Sequence, residues 1–271
     1  MSLSIIIVSY NARRDLERCL ESLHDAPPLT AHDITVVDNA STEGGLDAIR
    51  SRWPDIEVIV LERNRGFAAG NNAGIRATRG ELLLLLNSDT IVPAGALDTL
   101  LARLRAHPTA AAAGPRLIDA AGKAELSFGP MISPLGELRQ KALGALYSAG
   151  ISPVTTWVER ATRREQYVDW VSGACLLVSR ADAEAVGLLD ERFFLYTEDV
   201  DFCAALRARG RRILFAPASE ITHLRGRSRA SAPAAMNVEY RRSQLAFYEK
   251  HHPRWAPVLR AYLRLKGDLA E

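Results

Sequence analysis

Five consecutive leucines, Leu82 to Leu86, run straight into Asn87-Ser88-Asp89. A short and continuously apolar run reads as a β-strand covered on both faces. This strand ends in an amide, a small residue and a carboxylate. At the C-terminal edge of a parallel sheet such residues face the crevice where open α/β sheets bind ligands. A hard cation there takes one or two carboxylates plus phosphate oxygens. The same residues can instead end the strand and cap a helix opened by Pro93, through Asp89 or Thr90. Three residues alone do not separate a metal–diphosphate site from a helix cap.

The flanking pattern favours an α/β chain. Leu3 to Val8 and Ile34 to Val37 read as strands, as does Glu57 to Leu61. Helical periodicity lies between them, from Arg13 to Leu23, Leu46 to Arg52 and Phe67 to Thr78. Strands alternating with helices predict βαβ units and a mostly parallel, twisted, Rossmann-like sheet flanked by helices. After about Pro115 the pattern changes. Residues 123–165 read as a variable insertion with one helix near Leu135 to Ala149. Val168 to Val178 reads as a single strand, followed by helices after Arg180 and from Val200 to Arg209. Ile213 to Phe215 reads as a short strand, with His223 beyond it on a loop. Two helices close the chain, Met236 to Lys250 and Ala256 to Leu269. The expected division is a domain over 1–230, split into a nucleotide-binding half (1–115) and an acceptor and catalytic half (116–230), then a helical extension over 231–271.

A net charge of +2 spread over 271 residues gives no reason to expect a nucleic-acid partner. The charge is uneven, however. Arg207, Arg209, Arg211, Arg212, Arg225, Arg227 and Arg229 crowd one stretch, which suits a phosphate-bearing ligand or an anionic surface as well as a solvated helix end. Cys19, Cys175 and Cys203 have no CxxC spacing and read as reduced, buried thiols. The N-terminus enters a strand at once, and no apolar run approaches the ~20 residues of a bilayer span. The expected location is cytoplasmic, within reach of the inner face of the cell membrane. In the last helix Trp255, Val258, Leu259, Tyr262, Leu263 and Leu265 alternate with Arg254, Arg260, Arg264 and Lys266. Such a helix packs on its own domain, pairs in a homodimer, or lies on an anionic membrane.

Four polar segments each follow an early strand: Ser9-Tyr10-Asn11, Asp38-Asn39, Arg63-Asn64-Arg65-Gly66 and Asn87-Ser88-Asp89. In a parallel sheet they converge on one edge and build a pocket from distant segments. Asp38 can accept a hydrogen bond from a pyrimidine base. Asn64 and Gly66 let the backbone approach a ligand, and Gly70-Asn71-Asn72 opens a helix face towards it. Each of these residues is also an ordinary turn former or cap. Neither GxGxxG after the first strand nor GxxxxGK[ST] is present, which argues against nicotinamide, flavin and P-loop nucleotide sites. Further on, Glu198, Asp199 and Asp201 open a helix whose dipole stabilises them, and a buried acid there can act as a general base. His223 precedes Arg225, Arg227 and Arg229, as expected where a leaving diphosphate is held.

These motifs together resemble the inverting family 2 glycosyltransferases of the GT-A fold, in particular the bacterial rhamnosyltransferase-like group. The resemblance runs from Ser4 to about Ser228. It is carried by Val8-Ser9-Tyr10-Asn11, Val37-Asp38-Asn39-Ala40-Ser41, Asn64-Arg65-Gly66-Phe67-Ala68 with Gly70-Asn71-Asn72, and Leu86-Asn87-Ser88-Asp89. It continues through Trp170-Val171-Ser172-Gly173-Ala174, Phe193-Phe194, Glu198-Asp199-Val200-Asp201 and His223.

The resemblance implies that Asp199 is the catalytic base and that Asp89 and His223 hold a divalent metal, Mg²⁺ or Mn²⁺. It implies a nucleotide-diphosphate sugar bound by Ser9, Tyr10, Asn11, Asp38, Asn39, Asn64, Gly66, Asn71, Asn87, Ser88 and Arg225. It places a glycan or lipid-linked acceptor near Trp170, Gly173 and Glu198. Asn87 stands where the family's Asp-X-Asp motif has its first carboxylate, so its amide is a weaker metal ligand or a ribose contact. A nucleotidyltransferase of related fold would carry a Gly-rich loop with a basic residue after the first strand, which is absent. A catalytically silent sugar-nucleotide-binding subunit would have no need of Glu198, Asp199 and His223.

Overall fold

The computed structural model describes residues 2–224 and 233–268. Its first half is the expected alternation: β1 (Leu3–Ser9), α1 (Arg13–Asp25), β2 (His32–Asp38), α2 (Leu46–Arg52), β3 (Glu57–Val60), α3 (Gly66–Ala77) and β4 (Leu82–Asn87). These four strands pair in parallel in the order β3-β2-β1-β4. The leucine run explains the layers above and below. Leu82, Leu84 and Leu86 pack on one face with Leu16, Leu20 and Leu23 of α1. Leu83 and Leu85 pack on the other with Ala68 and Ile75 of α3. Period-two alternation thus gives a strand buried on both sides, which is why no polar residue interrupts it.

Beyond β4 the sheet becomes mixed. β5 (Thr90–Ile91) and α4 (Ala96–Arg105) lead to β6 (Ala110–Ile118), and β7 (Phe128–Gly129) precedes α5 (Pro134–Ser148) and α6 (Ser152–Ala161). Then come β8 (Gln166–Val168), β9 (Trp170–Val171), β10 (Cys175–Ser179), α7 (Arg180–Ala185), α8 (Glu198–Ala208) and β11 (Arg212–His223). Two helices follow, α9 (Pro233–His251) and α10 (Ala256–Leu265). The main sheet continues β4-β10-β6-β11-β5, with β10 antiparallel to both neighbours and β8 on the far side of β11.

Four local readings change. Val168 to Val178 is not one strand but parts of three, because the chain breaks at Ser172 to Ala174 and β9 pairs with β7 in a separate two-stranded sheet. β11 is one strand of 12 residues, so His223 is its last residue rather than a loop residue. A register shift between Ala216 and Glu220 accommodates Pro217, which has no N–H to give to the ladder. β6 is written AAAAGPRLI, in residues of low strand preference, and carried no strand signal. Thr90 and Ile91 do not lead into a helix cap. They pair antiparallel with Thr222 and His223, and the next helix begins at Ala96 after Gly95.

All three cysteines are free and buried, and burial pushes the Cys19 and Cys203 thiols up to about 12. No helix among the described residues is long and apolar enough to cross a membrane.

Candidate active site

The chain runs from β1 outward to β2 and β3, then returns to place β4 on the other side of β1. That reversal makes the β1/β4 gap the switch point where an open sheet binds its ligand. Register aligns Ser9 with Asp38 and Val8 with Asn87, so the post-strand loops share one edge. Asn39 cross-links them: its N–H donates to Ser9 O at 2.8 Å and its Nδ2 to Gly66 O at 3.0 Å, while Oδ1 accepts from Arg65 N at 2.8 Å. Asn64 Oδ1 accepts from Gly66 N at 2.9 Å. Asn11, at φ 48°, has its N–H on Ser41 Oγ and its Oδ1 on Thr42 N, at 2.9 and 2.8 Å. Asp38 is buried with Oδ2 accepting from Ser41 N at 3.1 Å, and Tyr10 stands exposed at the rim.

Gly66 is required by geometry. Its φ is +85°, and a Cβ there would collide with the Phe194 carbonyl, which accepts from Phe67 N at 2.7 Å. Asn71 is fully buried inside α3, with Nδ2 on Phe67 O at 2.9 Å and an Oδ1 that has no partner among the described residues.

The short β5–β11 pairing carries Asp89 to His223. His223 Nε2 lies 3.3 Å from Asp89 Oδ1 and 3.4 Å from Asn87 Nδ2, and Leu224 N donates to Asp89 O at 2.8 Å. Ser88 is buried between Asn87 and Asp89. The other ring nitrogen, Nδ1, lies 3.2 Å from Glu125 Oε2. Burial opposes a charged imidazole here, but hydrogen bonds and attraction from Asp89 and Glu125 outweigh it and raise His223 to about 9. Glu125 escaped the sequence reading because it lies in the motif-free 123–165 stretch. A carboxylate behind Nδ1 orients the ring, and Nε2 can ligate once a metal displaces its proton. No three His, Cys, Asp or Glu side chains among the described residues form a closed metal cage. One carboxylate, one imidazole and a neighbouring amide fit an ion such as Mg²⁺ or Mn²⁺, which keeps waters and diphosphate oxygens in its shell.

The acids of α8 separate into three environments. Tyr196 and Thr197 sit at φ 71° and 65°, strain of about 1–3 kcal/mol each, and turn the chain sharply into the helix. Asp199 accepts from Gly173 N through Oδ2 and from Val200 N through Oδ1, both at 2.8 Å. The break after β9 supplies that Gly173 N–H, and a Cβ on Gly173 would lie 3.3 Å from Asp199 Cβ. Burial raises Asp199 above the ordinary aspartate value, against the pull of those backbone N–H groups. Glu198 is buried with one oxygen unpartnered, and burial plus the Asp199 charge push it well above the ordinary range. Asp201 is bonded to Lys250 Nζ at 2.8 Å and His251 Nε2 at 2.6 Å, so α9 is latched to α8.

Of the three acids, Asp199 alone lines a cavity of about 320 Å³, where Trp170 joins it. Trp170 is otherwise buried, its Nε1 donating to Pro130 O at 2.9 Å.

The arginine cluster divides. Arg207 pairs with Asp169 at 2.7 Å, Arg211 with Asp182 at 3.0 Å, and Arg212 stacks over Tyr167 at 3.3 Å. Arg211 and Arg212 flank the start of β11, at the sheet edge opposite His223, so these three serve structure rather than a phosphate. Arg225, with Arg227 and Arg229, lies outside the described residues.

Two solved structures show this same frame. A mannosyltransferase from Pyrobaculum calidifontis, solved with GDP-Man and Mn²⁺, aligns over 96% of this chain and 68% of its own at TM-score 0.63 and 19% identity. GalNAc-T7, solved with UDP, GalNAc and Mn²⁺, aligns over 83% of this chain but 43% of its own, at TM-score 0.62 and 18% identity. The architecture is that of a GT-A glycosyltransferase, as the sequence led one to expect. The sequence comparison narrows this: the model of glycosyl transferase family 2 matches residues 4–165, and the chain belongs to that family. The N-acetylglucosaminyl-diphospho-decaprenol L-rhamnosyltransferase of Mycobacterium tuberculosis is 30% identical over 282 residues, 99% of this chain and 90% of its own. The low-salt glycan biosynthesis hexosyltransferase Agl10 of Haloferax volcanii is 28% identical over 212 residues, 76% and 61% of the two chains. This chain is a rhamnosyltransferase-like glycosyltransferase.

Proposed function

We propose that this enzyme transfers L-rhamnose from dTDP-rhamnose, with inversion, to a hydroxyl of a sugar carried on a polyprenyl diphosphate, in cell-envelope polysaccharide synthesis. The observation that carries a transfer mechanism is the selection of Asp199: of three neighbouring acids it alone lines the cavity, held by two backbone N–H groups. The near full-length likeness to a rhamnosyltransferase named for a lipid-linked acceptor supports the choice of donor and acceptor.

In this reading Asp199 takes the proton from the acceptor hydroxyl. The freed oxygen attacks the anomeric carbon from the face opposite the diphosphate, and the configuration inverts. The β1/β4 switch point receives the nucleotide, with Asp38 towards the base and Asn11, Asn39, Asn64 and Gly66 shaping the pocket. Asp89 and His223 would hold a divalent ion, whose chemistry there is to neutralise charge on the leaving diphosphate. Glu125 keeps the His223 ring oriented for that task.

The test is incubation with Mn²⁺, dTDP-L-rhamnose and an N-acetylglucosaminyl diphosphate bearing an alkyl chain, with the linkage read by NMR. Transfer with inverted anomeric configuration is expected. Transfer from UDP-hexoses but not from dTDP-rhamnose would sink the donor assignment, and a retained configuration would sink the mechanism.

A lipid-linked acceptor also gives α10 a role. Its Trp255, Val258, Tyr262 and Leu265 are exposed along one stripe, while Ala256 and Leu263 are buried behind them. Arg254, Arg260, Arg264 and Lys266 lie around this stripe, and 252–267 contains no acid. The proposed contact is peripheral, on the anionic inner face of the membrane. Val258→Asp with Leu265→Asp is expected to reduce co-sedimentation with anionic liposomes; equal binding by both proteins would reject this contact.

A further inference from the structure

The cavity beside Asp199 has walls that none of the strand-end motifs supplies. Glu137 and Gln140 come from α5, and Tyr240 and Gln244 come from α9. Ser127, just before β7, lines it close to Trp170. We infer that this cavity is the acceptor-sugar subsite, and that Ser127, Glu137 and Gln244 recognise a neutral hexopyranose bearing hydroxyl and amide groups. The inference rests on the glycosyl-transfer reading above and adds to it the residues that select the acceptor.

The first observation is an unfinished hydrogen bond. Ser127 is 3% exposed, and its Oγ has no partner among the described residues. A buried hydroxyl left unpaired costs about 1–3 kcal/mol, so it points to a ligand that completes it. Ser127 is also rigidly tied to the base. Its carbonyl accepts from Ser172 N at 2.8 Å, and the next residue, Gly173, donates to Asp199 at 2.8 Å. A sugar that bonds Ser127 is therefore indexed against the carboxylate that deprotonates it.

The second observation is the state of Glu137. Its carboxylate is held by Lys141 Nζ at 2.8 Å, Tyr248 OH at 2.9 Å and Gln244 Nε2. A carboxylate offers about four acceptor positions, so one stays available for a sugar hydroxyl. Lys141 also lines the cavity and neutralises Glu137, which among the described residues leaves Asp199 as the one uncompensated charge facing a sugar and disfavours an acidic one. Trp170, Ile132 and Phe247 complete the lining with apolar surface suited to the C–H face of a pyranose. The volume, about 320 Å³, is of the size that encloses one sugar ring rather than a chain of them.

The experiment is calorimetric titration of the full chain, saturated with dTDP and Mn²⁺, with an N-acetylglucosaminyl diphosphate carrying a short alkyl tail. Wild type is expected to bind. Ser127→Ala should weaken binding about 3–10-fold, the size of one neutral hydrogen bond, while its melting temperature holds or rises. Glu137→Gln should weaken binding more than about tenfold, as loss of a charge-assisted contact does. Affinity for dTDP should be unchanged in both. Failure of wild type to bind, or unchanged acceptor affinity in both variants, overturns the subsite even if the enzyme transfers rhamnose. Weakened binding in the variants of a protein that transfers no sugar keeps the subsite and removes the reaction assigned to it.

Discussion

Asp199→Asn is expected to lower kcat/KM for sugar transfer by about 10²–10⁴-fold, the range of a positioned general base, and to leave nucleotide binding intact. The reasoning is geometric. Asparagine keeps the shape but has one acceptor oxygen where aspartate uses two, so it keeps only one of the bonds from Gly173 N and Val200 N, and it cannot take a proton. Wild-type activity should also depend on pH in a defined direction. The base works ionised, and burial has raised it above the ordinary aspartate value of 3.8. The acid limb of the kcat/KM profile should therefore lie above that value, with activity lost as pH falls through it. A variant with near-normal turnover would remove Asp199 from the chemistry.

Loss of the Asp89–His223 pair ranks second. Asp89→Ala and His223→Ala should each reduce kcat/KM on the order of 10²–10³-fold, the scale of one electrostatic contact made in the transition state. Glu125→Gln should act through His223, weakening apparent Mn²⁺ affinity about 10–100-fold. The three variants can be compared by titrating Mn²⁺ against binding of a dTDP-sugar. If Asp89→Ala binds the donor with the metal dependence of wild type, the pair does not serve the leaving group.

Much of the fold of the first half, β1 to β4, was legible because each of its signals is local. A leucine run between turn residues, an asparagine after a strand and a glycine before a helix each imply a conformation with no knowledge of the rest of the chain. Around the cavity, the sequence motifs mark Trp170 and Asp199 but not Ser127, Glu137 or Gln244. Those three are ordinary polar residues in sequence, and their meaning arises only when α5 packs on α9 across more than 100 residues of chain. β6 and β11 were obscured for other reasons. Alanine carries little strand signal, and Pro217 interrupts a pattern that a bulge repairs in space. The resemblance told the acids of α8 apart, but local pattern alone did not. Only packing shows that Asp201 is bound to Lys250 and His251 and is not in the cavity.

Glu137 joins two stretches that look unrelated in the chain, because it bonds both Gln244 and Tyr248. On the acceptor subsite proposed above, a change in sugar choice would involve both stretches. Across relatives, position 137 should covary with positions 244 and 248, and less with the strand-end motifs of the donor half. A chimaera that exchanges residues 123–165 should work only when residues 233–251 travel with them. The two segments are separate in sequence, and that result would make them a single unit of inheritance.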